Sequence, residues 1–90
     1  MKQTAKKLKR QHVTFLYWLV EMYGYTVSRI QYSEIAFASG HNVQTVCNYV
    51  KRLEETGCAT IEPINHYRRT IVINVAQCNE LLRDMGKELI

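Results

Sequence analysis

The reading turns on residues 32–53: Tyr32-Ser33-Glu34-Ile35-Ala36-Phe37-Ala38-Ser39-Gly40-His41-Asn42-Val43-Gln44-Thr45-Val46-Cys47-Asn48-Tyr49-Val50-Lys51-Arg52-Leu53. Up to Ala38 the stretch reads as a short helix, with Ile35, Ala36 and Phe37 on one side and Ser33 and Glu34 outside. Ser39 and Gly40 interrupt it. A second helix is expected over 42–56, because Val43, Val46, Cys47, Val50 and Leu53 recur at three- and four-residue steps. His41 or Asn42 precedes it, and Asn is the better N-cap, since its short side-chain acceptor satisfies an orphan amide. Ala36 lets two helices approach closely, Gly40 allows a sharp turn, and β-branched Val46 fills the space between them. Gly57 closes the second helix by tolerating positive φ.

Outward from this pair, a long apolar helix is expected over 7–23, carrying Leu8, Val13, Leu16, Tyr17 and Val20 with Phe15, Trp18 and Leu19 widening its apolar face. So hydrophobic a helix must pack on more than one side. Gly24 suits its C-cap, and residues 25–30, rich in β-branched types, suit a brief extended segment that adds a minor strand to a later hairpin. After Gly57 the period changes to two. Ala59, Ile61 and Pro63 alternate with polar neighbours, residues 65–69 form a polar turn, and Ile71, Ile73 and Val75 return on one face. This is an antiparallel hairpin, with Pro63 at an edge or hairpin end because it cannot donate to a ladder. A last helix over 79–89 takes its apolar side from Leu81, Leu82, Met85 and Leu89, with Gly86 weakening its continuity. One domain spans 1–90, comprising a basic segment 1–10, a core 11–75 and a C-terminal helical part 76–90.

The stretch from Tyr32 to Leu53 resembles the helix-turn-helix of DNA-binding proteins, with Ala36, Gly40 and Val46 at its crossing, turn and anchor positions. With the hairpin following directly, residues 12–75 resemble a winged helix-turn-helix domain. The run Asn48-Tyr49-Val50-Lys51-Arg52-Leu53-Glu54-Glu55-Thr56-Gly57, continuing into Cys58-Ala59-Thr60-Ile61, looks like a recognition helix leading into a wing. The resemblance implies an α+β winged helix-turn-helix fold: a three-helix core, a C-terminal β-hairpin wing and a final helix. It further implies that helix 42–56 enters the major groove while the wing reaches the backbone or minor groove. Among such proteins the chain looks nearest to small bacterial, phage or plasmid regulators and replication-associated domains.

Removing the apolar stripe of the second helix leaves Gln44, Thr45, Asn48, Lys51, Arg52 and Glu55 outside. Gln and Asn can pair with the major-groove edge of adenine through a donor and an acceptor together, and Thr offers a hydroxyl or a methyl. Lys51 and Arg52 suit phosphates or solvent. Ser33 and Thr45, near helix starts, and His41 in the turn are candidates for phosphate contact. In the wing, Arg68 and Arg69 are the candidates for backbone or minor-groove contact, joined by His66 and Tyr67. Alternation along a hairpin allows one arginine to face DNA while the other packs.

Charge agrees with a polyanionic partner without requiring one: 12 Lys and Arg against 8 Asp and Glu give +4. Lys2, Lys6, Lys7, Lys9 and Arg10 fall in the first ten residues with no acid among them, which suits salt-sensitive, sequence-independent affinity. Cys47, Cys58 and Cys78 form neither a CxxC pair nor a disulfide framework, so core thiols and a cytoplasmic location are expected. The run 13–22 is broken by Thr14 and Glu21 and is too short to span a membrane. No glycine-rich phosphate loop, HExxH arrangement or zinc ligand set is present, so no enzyme, cofactor or metal is expected. The expected function is duplex DNA binding as a transcription regulator, with dimerisation through Leu81, Leu82, Met85 and Leu89. The alternatives are a replication or mobile-element accessory protein that binds duplex or single-stranded DNA with low sequence preference, and a protein-interaction module without nucleic acid.

Overall fold

The computed structural model describes residues 7–90; Lys2 and Lys6 of the basic segment lie outside the described residues. Four helices and three strands follow in the order α1 (Arg10–Tyr23), β1 (Thr26–Ile30), α2 (Tyr32–Ser39), α3 (Val43–Glu55), β2 (Ala59–Pro63), β3 (Arg69–Ile73) and α4 (Val75–Asp84). The fold is therefore α+β, with an antiparallel sheet in the order β1-β3-β2. The returning strand of the hairpin is central and β1 joins its free side, Val27 facing Ile71. Pro63 ends the edge strand β2 opposite Arg69, where its missing amide breaks no interior ladder.

The first helix begins at Arg10, three residues later than its apolar pattern predicts. Lys9 is extended, and its amide donates to Nδ1 of His12 at 2.9 Å, a side-chain acceptor reaching back over the first turn. Leu8, just before that cap, is buried in the core. The second helix uses the same device, the Gln31 amide donating to Oε2 of Glu34 at 3.3 Å. In α3 the cap is Asn42, whose Oδ1 accepts from the Thr45 amide at 2.7 Å.

The core gathers one stripe from each element. Leu16 and Leu19 of α1, Ile35 of α2, Val46, Val50 and Leu53 of α3, Ile71 of β3 and Leu82 of α4 are all fully buried. Two expected apolar faces are corrected. Phe37 does not share the buried side of α2 and is 91% exposed, because consecutive helical residues point about 100° apart and Ile35 and Ala36 already occupy the inward face. Val43 lies at the edge of the α3 stripe in the helix's first turn and is 45% exposed.

The last helix differs most from its expected bounds. Val75 is its first residue and not a strand position, since β3 ends at Ile73 and Asn74 anchors the chain by accepting the Cys78 amide and donating its own amide to the Cys58 carbonyl. Nδ2 of Asn74 also donates to the Gly57 carbonyl at 2.8 Å. The helix stops at Asp84, Gly86 takes φ +70, and residues 85–90 fold back. The Asn79 side chain exchanges two hydrogen bonds with the Ile90 backbone, and the Tyr17 hydroxyl donates to the Glu88 carbonyl at 2.7 Å. Leu89 thus lies outside the helix. Leu82, expected to dimerise, is 0% exposed and closes the core of its own chain; Leu81 is partly buried against that core, while Met85 and Leu89 remain exposed.

A candidate nucleic-acid interface

The turn between α2 and α3 is made by Gly40, whose φ of +79 lies in the left-handed region and whose amide donates to the Ala36 carbonyl at 3.0 Å. Nothing comes within 4 Å of the place a Cβ would occupy, so glycine is required here by backbone conformation and not by space. The chain then re-enters helix at Val43 with Ala36 and Val46 buried between the two helices. This fixes the direction in which the other side of α3 points.

That side carries Gln44, Asn48 and Lys51, all exposed, at spacings of four and three. From Val43 to Lys51 the helix contains no acid. Nε2 of Gln44 donates to Oδ1 of Asn48 at 3.1 Å, so the two amides form one pre-oriented unit along the ridge. Exposed Val43 stands next to Gln44 and adds an apolar contact that the reading of its valine as core had missed. Thr45 is half-buried, with its amide held by Asn42.

Two grooves flank the ridge. On the sheet side, a groove of about 390 Å³ runs between α3 and the hairpin, with Tyr32, Cys47, Lys51, Glu54, Pro63 and Arg69 in its lining. On the α1 side a polar groove of about 440 Å³ holds Gln11, Asn48, Lys51, Arg52 and Glu55. Arg52 is more occupied than its neighbours: it donates to the Lys7 carbonyl at 2.8 Å and pairs with Glu55 at 3.6 Å. Its first task is to hold the segment before α1 against α3.

The hairpin arginines are similarly engaged within the chain. Arg68 donates to the Arg29 carbonyl at 2.7 Å and to Oε2 of Glu34 at 3.3 Å. Arg29 has φ +52, an unusual backbone for a residue other than glycine, at the register shift between β1 and β3. Arg68 therefore ties an irregular strand to the start of α2. The Arg69 guanidinium sits 4.6 Å from the centre of the Tyr32 ring, a cation–π contact on the groove wall. Between them, burial of Tyr32 outweighs Arg69 and raises the phenol above its ordinary value. What the tip itself presents is His66 and Tyr67. Tyr67 is 71% exposed on a turn in which Oδ1 of Asn65 accepts from the amides of Tyr67 and Arg68.

The remaining expected contacts lie at the start of α2 and in the turn. Ser33 is exposed, its hydroxyl 3.4 Å from Oε1 of Gln31. His41 is exposed but leans edge-on toward Tyr49, with ring centres 5.4 Å apart. Gln44, Asn48 and Lys51 thus share one ridge of α3, while Ser33 stands at the start of α2 beside Gln31 and His41 lies in the turn beside Tyr49. His66 and Tyr67 form a separate tip.

Cys58 and Cys78 are fully buried, and the Cys78 sulfur donates to the Cys58 carbonyl at 3.3 Å. The adjacent thiol and burial push Cys78 up, which keeps it protonated. Among the described residues no cluster of three or more His, Cys, Asp or Glu is placed to hold a metal ion, and no helix is long and apolar enough to cross a membrane. No family model, curated protein or solved structure matches the chain.

Proposed function

We propose that this chain is a winged helix-turn-helix protein that binds duplex DNA through α3, most consistently as a transcription regulator. The observation that carries the reading is the Gln44–Asn48–Lys51 ridge. It is polar, carries no acid before Glu54 and Glu55 at its C-terminal end, and lies opposite the buried Val46, Val50 and Leu53 on the helix that follows a glycine turn. An α-helix fits the major groove, where an amide can meet adenine through two hydrogen bonds and a valine can meet a thymine methyl. Lys51, farther along the ridge, meets a phosphate. The hairpin tip, with Tyr67 and His66, lies against the neighbouring backbone, and Arg68 exchanges its exposed pair with Glu34 for a phosphate oxygen. An exposed pair of this kind contributes little to stability, so its exchange is inexpensive.

A second reading, a protein-interaction module, draws on Phe37, a nearly bare aromatic on α2. Such side chains are characteristic anchors in protein interfaces.

The test is quantitative binding of the parent chain and three variants to pools of randomised duplex and to matched single strands across a salt series. Lys51→Gln lowers the logarithmic salt slope by about one unit, the share of one phosphate contact. Asn48→Ala changes the sequences recovered from the pool and costs about 1–3 kcal/mol on the parent's preferred duplex. Equal curves for the parent and a folded variant combining Gln44→Ala, Asn48→Ala and Lys51→Gln would remove α3 from the interface. Binding of single strands in preference to duplex points instead to the accessory-protein alternative, and no binding to either favours the protein partner.

A further inference from the structure

We propose that the groove between the first half of α1 and the turn before α3 binds a small planar aromatic anion: one or two fused rings bearing a carboxylate. The groove holds about 450 Å³ of space, within the range of small-molecule sites. Its walls are rings. Phe15 and Trp18 lie nearly parallel with centres 6.0 Å apart, Tyr49 tilts toward Phe15 at 5.2 Å, and His41 meets Tyr49 edge-on at 84°. Phe15 is buried, so the surface offered to a flat guest comes from the partly exposed Trp18 and Tyr49 rings and from exposed His41, in the offset or edge-to-face arrangements that aromatic partners favour.

The rim supplies the charge preference. Arg10 lines the groove and makes no ion pair among the described residues, whereas the hydroxyls of Thr14 and Ser39 already donate to the Arg10 and Ala36 carbonyls. No acid lines it. A carboxylate on the guest therefore meets the Arg10 guanidinium without an opposing charge, and guanidinium–carboxylate bonds are the stronger, geometrically selective kind. A neutral aromatic guest would leave Arg10 unused, and an aliphatic acid would leave the rings unused. The combination selects a molecule that is both flat and anionic. The inference stands on the groove alone and holds whether or not α3 meets DNA.

Trp18 is the sole tryptophan, so its indole N–H provides one unambiguous magnetic-resonance signal within the groove. The isotope-labelled full chain is titrated with naphthoate, with uncharged naphthalenemethanol, and with cyclohexanecarboxylate. Naphthoate shifts the Trp18 indole signal and the His41 amide saturably at concentrations up to about 1 mM. Naphthalenemethanol binds about tenfold more weakly, the loss of one charged hydrogen bond. Cyclohexanecarboxylate gives no saturable shift. Arg10→Gln, at an exposed position outside the core, weakens naphthoate about tenfold while its melting temperature matches the parent. A non-saturating response to naphthoate, or cyclohexanecarboxylate binding as tightly as naphthoate, overturns the proposal. Naphthoate affinity equal to that of naphthalenemethanol also overturns it. The three-ligand comparison needs only the parent chain, so the result stands even if the variant fails to fold.

Discussion

Individual side chains in this protein often serve two elements at once. Glu34 accepts the Gln31 amide at the start of α2 and also pairs with Arg68 of the hairpin. Arg52 holds the Lys7 carbonyl and also contributes to the environment of His12. His12 is the one buried polar residue of the described core, and its Nδ1 accepts from the Lys9 amide. Burial first, then the charges of Arg52 and Lys9, lowers the imidazole below its ordinary value of 6.5. The unfolded chain therefore binds a proton at a pH where the folded chain does not, and stability rises with pH through that window. The contribution is complete above about pH 6.5 and is lost as pH falls through the lowered folded value. We expect the urea midpoint to fall between about pH 7 and about pH 5.5, and His12→Gln to flatten that slope. An unchanged slope in the variant would assign the effect elsewhere. Sequence reading missed this residue because a lone histidine in an apolar helix carries no signal until its capping partner is known.

At the scale of elements, the α2–turn–α3 unit was legible and its details were not. Gly40, Asn42 and the Val46–Val50–Leu53 stripe do what their types and spacing require, since caps, turns and the buried side of a helix are decided within a few residues. Gly40 makes a sharp test. Its cost of replacement is purely conformational, so Gly40→Asn should destabilise least and Gly40→Ala by about 1–2 kcal/mol. Gly40→Val should cost the most, because a β-branched side chain is a true outlier at positive φ. Thermal melts of the three variants give the order, and an alanine variant as stable as the parent would mean that the turn is not held in the left-handed region. Phe37 and Val43 were misplaced for the same reason. An apolar residue is pulled inside only where a neighbouring element covers it, and periodicity does not say where that cover ends.

On the scale of the molecule, the final helix is the clearest case of tertiary control. Its apolar residues suggested a surface for a second copy, yet Leu82 and Cys78 are sealed within the chain's own core, while the folded-back residues 85–90 bond to α1 and α4. Leu82→Ala should cost about 2–5 kcal/mol of folding stability. Met85→Ser combined with Leu89→Ser should change the urea midpoint little, because both side chains are already exposed. If the Leu82 variant were as stable as the parent, α4 would not be part of the core. The dimerisation expectation now rests on Met85 and Leu89, and sedimentation of that double variant against the parent measures whether they join two copies.

The order of helices and strands, the glycine turn and the outward polar ridge of α3 follow from local chemistry, because each depends on neighbours no more than a few residues away. Where Arg68 and Arg69 spend their charge, which aromatic rings gather into a groove, and which face of α4 is hidden were decided only when distant segments met. A hydrogen bond between Arg68 and Arg29, or a ring of Tyr32 beneath Arg69, joins residues some forty positions apart. Such contacts leave no periodic trace, since their energy appears only after the chain has closed upon itself.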